Sequence, residues 1–269
     1  MKQNKKHKFK MTKIVLLHYY KLVFRSVFFL AATAVYVVNR ICNTGEVLGG
    51  FEKNHVLLTF IWLIFFFEML FRFFPSSLES MGCQKQFARN FSPISQGEQA
   101  YRLQSAKSTL AVVAFWIGLN GIFGVFYLTR VIDAGIMILL SLFYSVCDII
   151  CILFFCPFQT WFMRNKCCTT CRIYNWDYAM MFTPLLFVNN IFARSLFGVA
   201  VLLLVVWEIA VYRHPERFIE RTNQALSCSK CKEKLCHQKR QLQGYLEKGK
   251  FNLKGNLLFV TKKQSNRDK

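Results

Sequence analysis

Acidic residues are scarce: 14 Asp and Glu stand against 35 Lys and Arg, a net charge of +21. Histidine is scarcer still. The five are His7, His18, His55, His214 and His237, and none sits in the middle of an apolar run at a depth matching another. A haem held by paired imidazoles is excluded on that ground. The chain also lacks a Walker loop, a nucleophile elbow and a zincin pair. No nucleic-acid recognition module accompanies the positive charge, so basicity alone does not imply DNA or RNA.

What the chain has is apolar mass. Hydrophobic residues make up 54% of the 269, and Phe alone contributes 29. High hydrophobicity and high charge coexist by segregation: long apolar runs alternate with basic loops and end in a basic tail. This pattern predicts an all-α, polytopic helical membrane protein whose charged flanks meet anionic lipid headgroups.

The runs predict spans at residues 22–38, 55–71, 108–128 and 132–155. Residues 14–20 are expected in the interface, with Lys21 and Arg25 snorkelling to the headgroups. A cleaved signal peptide is the competing reading of the N-terminus. Lys21 and Arg25 interrupt its apolar stretch, which favours an uncleaved anchor. Residues 178–212 are too long for one upright helix. The tail after Tyr212 and the N-terminal arm are both basic, which places both termini on the cytoplasmic side of the inner membrane. An even number of crossings follows, so a hairpin is predicted at 179–189 and 191–212, its first limb short enough to be re-entrant. The total is about six segments. Two regions result: a bundle over 1–212 and a cytosolic, basic, Cys-rich tail over 213–269. Pro215 is expected to open an amphipathic helix reaching Lys248.

The 11 cysteines are unevenly placed. Cys42 falls on the predicted outer side, and Cys147 and Cys151 lie inside the fourth span. The other eight lie on the cytosolic side, which is normally reducing. Two clusters stand out there. Cys156-Pro157 is followed by Cys167-Cys168-Thr169-Thr170-Cys171. Cys228-Ser229-Lys230-Cys231 is followed by Cys236-His237. A Cys-x-x-Cys step lets two thiolates converge within one turn, and neighbouring Lys and Arg favour thiolate. Neither cluster completes a zinc or ferredoxin signature by itself. If the hairpin brings both to one membrane face, Cys156, Cys167, Cys168, Cys171, Cys228, Cys231 and Cys236 supply enough sulfur for one shared zinc site or iron–sulfur cluster. The competing reading is unliganded thiols, palmitoylated near the bilayer.

Asp148 lies well inside the fourth apolar run. An acid there is costly and invites a role in a proton or cation path; the alternative is pairing with Arg25, Lys21 or an inner-loop Arg. At helical spacing Tyr144, Cys147, Asp148 and Cys151 share one face. Glu68 and Glu208 are similar but nearer the inner ends. Asn120 and Asn190 are expected to make interhelical hydrogen bonds.

Two stretches carry a resemblance. Cys156-Pro157-Phe158-Gln159, through Cys167-Cys168-Thr169-Thr170-Cys171-Arg172-Ile173-Tyr174-Asn175-Trp176-Asp177, is the first. His214-Pro215-Glu216-Arg217-Phe218, through Cys228 to Cys236, is the second. Together they resemble an uncharacterised family of small bacterial multi-pass membrane proteins with cytosolic Cys clusters. The resemblance covers about a third of the chain and implies no known activity. Cys151 and Cys156-Pro157 at the end of a span also look like the Cys-Pro motifs of membrane-bound polyferredoxins, with a spacing longer by one and without the full cluster runs.

The sequence thus leads to a membrane protein with a cytosolic metal or iron–sulfur site, serving redox or metal handling. The alternatives are a small transporter or channel-like protein using Asp148, and a non-catalytic scaffold.

Overall fold

The computed structural model of the chain describes residues 13–42, 55–75, 81–94, 106–165 and 167–227. The described residues are helical, apart from loops and one isolated bridge between Pro93 and Asn223. Seven α-helices follow in order: α1 (Lys13–Cys42), α2 (His55–Leu70), α3 (Met81–Gln86), α4 (Ala106–Leu128), α5 (Ala134–Leu153), α6 (Asp177–Phe182) and α7 (Ile191–Arg213). Among the described residues, four stretches are long and apolar enough to cross a membrane: Val15–Cys42, Ala106–Leu128, Ala134–Leu153 and Ile191–Arg213. The α2 helix, at 16 residues, is shorter but equally apolar.

Side-chain chemistry sorts these helices by depth in the bundle. Only 6% of the most apolar stretch of α1 is buried, against 33% for α5. Leu16, Val23, Val27 and Leu30 of α1 project outward, as lipid-facing residues do. The core gathers instead around α6 and the 3₁₀ turn Thr183–Phe187 that continues it, where Tyr178, Met181, Phe182 and Leu185 are buried against α2, α5 and α7. This segment is short. Six α-helical and five 3₁₀ residues rise about 19 Å, less than the roughly 30 Å of a hydrocarbon core. Pro184 ends the α-helical geometry by withholding its N–H. Asn190 then caps α7, its side chain accepting from Phe192 N at 2.8 Å.

The turn between α4 and α5 is tight. Arg130 adopts φ 60, and Val131 N and Ile132 N both reach back to Phe126 O, a left-handed stop to the helix. Asp133 then caps α5 by accepting from Ile136 N at 3.0 Å, and also accepts from Tyr36 Oη of α1 at 3.0 Å.

Three expectations change. Arg25 does not snorkel: its side chain is 4% exposed and lies among acids inside the bundle. Asn120 donates within its own helix, to Trp116 O, and Asn190 is a cap rather than an interhelical bridge. Pro215 does not open a long helix. Pro215–Phe218 is a single 3₁₀ turn, after which Ile94 N donates to Thr222 O and Gln224 N to Ser92 O. Thr222 and Asn223 explain the change. Their side chains bond nearby backbone at Glu216 O, Arg217 O and Ala225 N, offering the chain an alternative to helix.

Candidate functional site

One half of the bundle carries its charges in pairs. On α1, Lys21 and Arg25 are one turn apart. Arg25 Nη2 donates to Glu68 Oε2 of α2 at 2.6 Å, and Nη1 reaches Asp148 Oδ2 of α5 at 3.5 Å and Ser145 O at 3.0 Å. Lys21 Nζ lies 3.2 Å from Glu68 Oε1, and Tyr178 Oη donates to Glu68 Oε2 at 3.2 Å. Just beyond, Arg72 grips Asp177 with both terminal nitrogens, at 3.1 and 2.5 Å, while its guanidinium lies 4.9 Å from the Tyr178 ring centre. Three cations therefore face three carboxylates. Glu208 of α7 is held separately, by both terminal nitrogens of Arg172 and by Trp176 Nε1 at 2.6 Å. The pairing reading of the intramembrane acids is thus what the geometry displays for Glu68, Asp148 and Glu208 alike.

Asp148 has a second neighbourhood. It lines a half-open cavity of about 140 Å³ bounded by α4, α5, the chain after α5 and the start of α6. Tyr144, Cys147, Asp148 and Cys151 all contribute to the wall, the shared face that helical spacing predicts. Facing them are Cys156, Cys168 and Cys171 of the loop and, from α6, Asp177, Met180 and Met181. Five thiols thus border one space, two from a membrane helix and three from the loop. The Tyr144 hydroxyl is buried and has no hydrogen-bond partner among the described residues.

Local structure explains how the loop reaches this wall. Residues Phe158–Phe162 form one wide π turn, closed by Met163 N donating to Phe158 O at 2.9 Å. It turns Gln159 inward, where its Oε1 accepts from Cys168 Sγ at 2.9 Å and its N–H donates to Cys156 Sγ at 3.4 Å. Cys168–Thr170 is a 3₁₀ turn, and Cys171 N closes it on Cys168 O at 3.0 Å. Cys167 is buried beside Thr169, 3.1 Å from its hydroxyl, and does not line the cavity. Burial pushes the Cys171 thiol up to about 12, so without a bound ion it is protonated at neutral pH.

The loop is also tied to the root of the tail. The short helix α3 carries both attachments on adjacent residues. Gln86 Nε2 donates to Thr169 O at 2.9 Å, and Gln86 Oε1 accepts from Asn175. Lys85 O accepts from Asn223 Nδ2 at 3.0 Å, with Asn223 wholly buried. Leu226, three residues on, is also buried.

Of the seven cysteines expected at a metal, the structure brings Cys156, Cys168 and Cys171 to the cavity and leaves Cys167 behind it. Cys228, Cys231 and Cys236 lie outside the described residues. Among the described residues no group of three or more His, Cys, Asp or Glu is placed to hold one ion. The sequence reading passed over Gln159, Asp177, Met180 and Met181 as site residues. Asp177 carried a signal, an acid standing directly before an apolar run; the others carried none.

Comparison of the chain with protein-family models, with curated proteins and with solved structures finds no match.

Proposed function

We propose that this is an integral membrane protein that handles a soft metal ion at a thiol-lined cavity in the inner half of its bundle. One observation carries the reading: five cysteines, two on α5 and three on the following loop, border a single space. Thiolate and thioether donors select soft or borderline ions such as Cu(I), Zn(II) or iron–sulfur clusters.

The topology proposed with it has six segments. Residues 177–188 complete a crossing as an abbreviated, protein-enclosed limb before α7, and α2 supplies another. Both termini then lie on the cytoplasmic side of the inner membrane, beside anionic headgroups. Cys228, Cys231 and Cys236 begin one residue beyond Ser227, whose root is anchored on the helix that also holds the cysteine loop. That shared anchor supports a combined site in which the tail adds ligands to Cys156, Cys168 and Cys171. A four-coordinate zinc site or a cluster needs such an addition.

Anaerobic purification in detergent, an absorption spectrum and metal analysis test this reading. Iron with sulfide and visible absorbance identifies a cluster, and stoichiometric zinc a zinc site. Cys168→Ser with Cys171→Ser should lower the content severalfold. Wild-type protein that binds no soft metal, as purified or on titration, overturns the proposal. The topology has its own check: an impermeant thiol reagent on intact cells should label Cys42 and miss Cys228.

A second reading, a cation path through Asp148, is supported by that residue's weaker clamp. Its 3.5 Å contact with Arg25 is longer than the 2.6 Å contact of Glu68, and Asp148 faces the cavity. Asp148→Asn in liposomes should then abolish cation flux; unchanged flux removes Asp148 from the path.

A further inference from the structure

Building on the reading of the cavity as a metal site, we propose that its membrane-side wall takes a monovalent thiophilic ion, of the Cu(I) and Ag(I) class, between Cys147 and Cys151 of α5.

Spacing is the first argument. Residues four apart on a helix lie on one face with Cβ atoms about 5–6 Å apart, and both side chains line the cavity. Coordination number is the second. Zinc and iron–sulfur centres require about four protein ligands, yet among the described residues no three acidic, thiol or imidazole groups converge. Soft monovalent ions accept two thiolates in a nearly linear arrangement, which a pair can supply. Donor softness is the third. Met180 and Met181 border the same space, and thioethers favour Cu(I) over zinc or the harder cations.

Binding replaces two S–H bonds with two S–metal bonds, leaving a complex of charge −1, and both protons leave to water. No electron moves, so redox-inert Ag(I) is a sufficient probe.

The experiment uses the full chain in detergent under anaerobic conditions. Alkylation by N-ethylmaleimide is followed cysteine by cysteine by mass spectrometry, with Ag(I) or Zn(II) added. One equivalent of Ag(I) should slow modification of Cys147 and Cys151 at least tenfold, whereas Zn(II) at the same concentration should not. In Cys147→Ser, Cys151 should lose that protection, and the converse should hold. Wild-type protein should release about two protons per Ag(I). The wild-type protection pattern needs no variant to fold. Protection confined to loop and tail cysteines, equal protection by zinc, or protection of Cys151 that survives Cys147→Ser overturns the inference. If zinc or iron binds while Cys147 and Cys151 react at their unprotected rates, this inference falls and the metal reading stands. If no soft ion binds anywhere, both fall.

Discussion

The two ends of the segment 177–187 are held by different forces. At its N-terminal end Asp177 and Tyr178 enter a lattice of ion pairs with Arg72, Glu68 and Arg25. At its C-terminal end Phe187 lies against Gly124 of α4 and 6.4 Å from the Tyr127 ring centre, an apolar contact. Ion pairs enclosed by protein lose much when one member goes, because the remaining charge stays stranded. Apolar packing loses in proportion to the atoms displaced. The N-terminal end should therefore be fragile toward neutralisation and the C-terminal end toward added volume.

Four substitutions sharpen or break that contrast. Arg25→Ala strands Asp148, leaves Glu68 with Lys21 and Tyr178, and should cost about 3–5 kcal/mol in detergent unfolding. Combining it with Glu68→Ala should recover part of the loss, since the two act on one network. A loss below about 1 kcal/mol would end the claim that the N-terminal end depends on its ion pairs. Gly124→Ala comes next. A Cβ there would stand 2.5 Å from Phe187 Cζ, so the ring must move, at about 1–3 kcal/mol. Phe187→Leu in the same background should relieve it; a thermal midpoint equal to wild type for Gly124→Ala alone would mean that the notch is slack.

The third prediction concerns the Cys171 thiol. Its value in the folded chain, about 12, exceeds the ordinary 9.0, so the fold favours the protonated form. Between pH 9 and about 12 the unfolded chain has lost this proton while the folded chain retains it, and stability falls as pH rises. Cys171→Ser should make that decline shallower in paired melts; identical slopes would remove the burial effect. The smallest effect is expected at Gly121→Ala. Nothing lies within 4 Å of the added atom, so helix propensity alone acts and stability should stay unchanged or rise by up to about 1 kcal/mol. A clear loss there would show the α4 surface to be occupied.

Hydropathy made α2, α4, α5 and α7 legible within a few residues at each end, because lipid demands continuous apolar length; α1 starts at Lys13, well before the expected residue 22, because the helix continues through Lys21 and Arg25. The Tyr144–Cys151 face was legible too, since helical periodicity is local. Arg25 was not. Near the end of an apolar run it reads as a snorkelling cation, and its partners lie 43 and 123 residues away. The tail misled for a different reason. Pro215 and the residues after it suit a helix, but Asn223 finds better acceptors at Lys85 O and Arg217 O, and one of these is set by tertiary structure. The joining of loop cysteines to membrane cysteines depended on a π turn at 158–162 that no spacing rule anticipates.

The six-residue helix α3 has a mechanical consequence. Lys85 holds the tail's root and Gln86 holds the cysteine loop, so the two lie in series across a single peptide link. A pull on the tail, by a partner or by a ligand captured there, would reach Thr169 through that link and the Gln86 side chain. The loop that lends Cys168 and Cys171 to the cavity and the beginning of the tail are thereby coupled through one short helix.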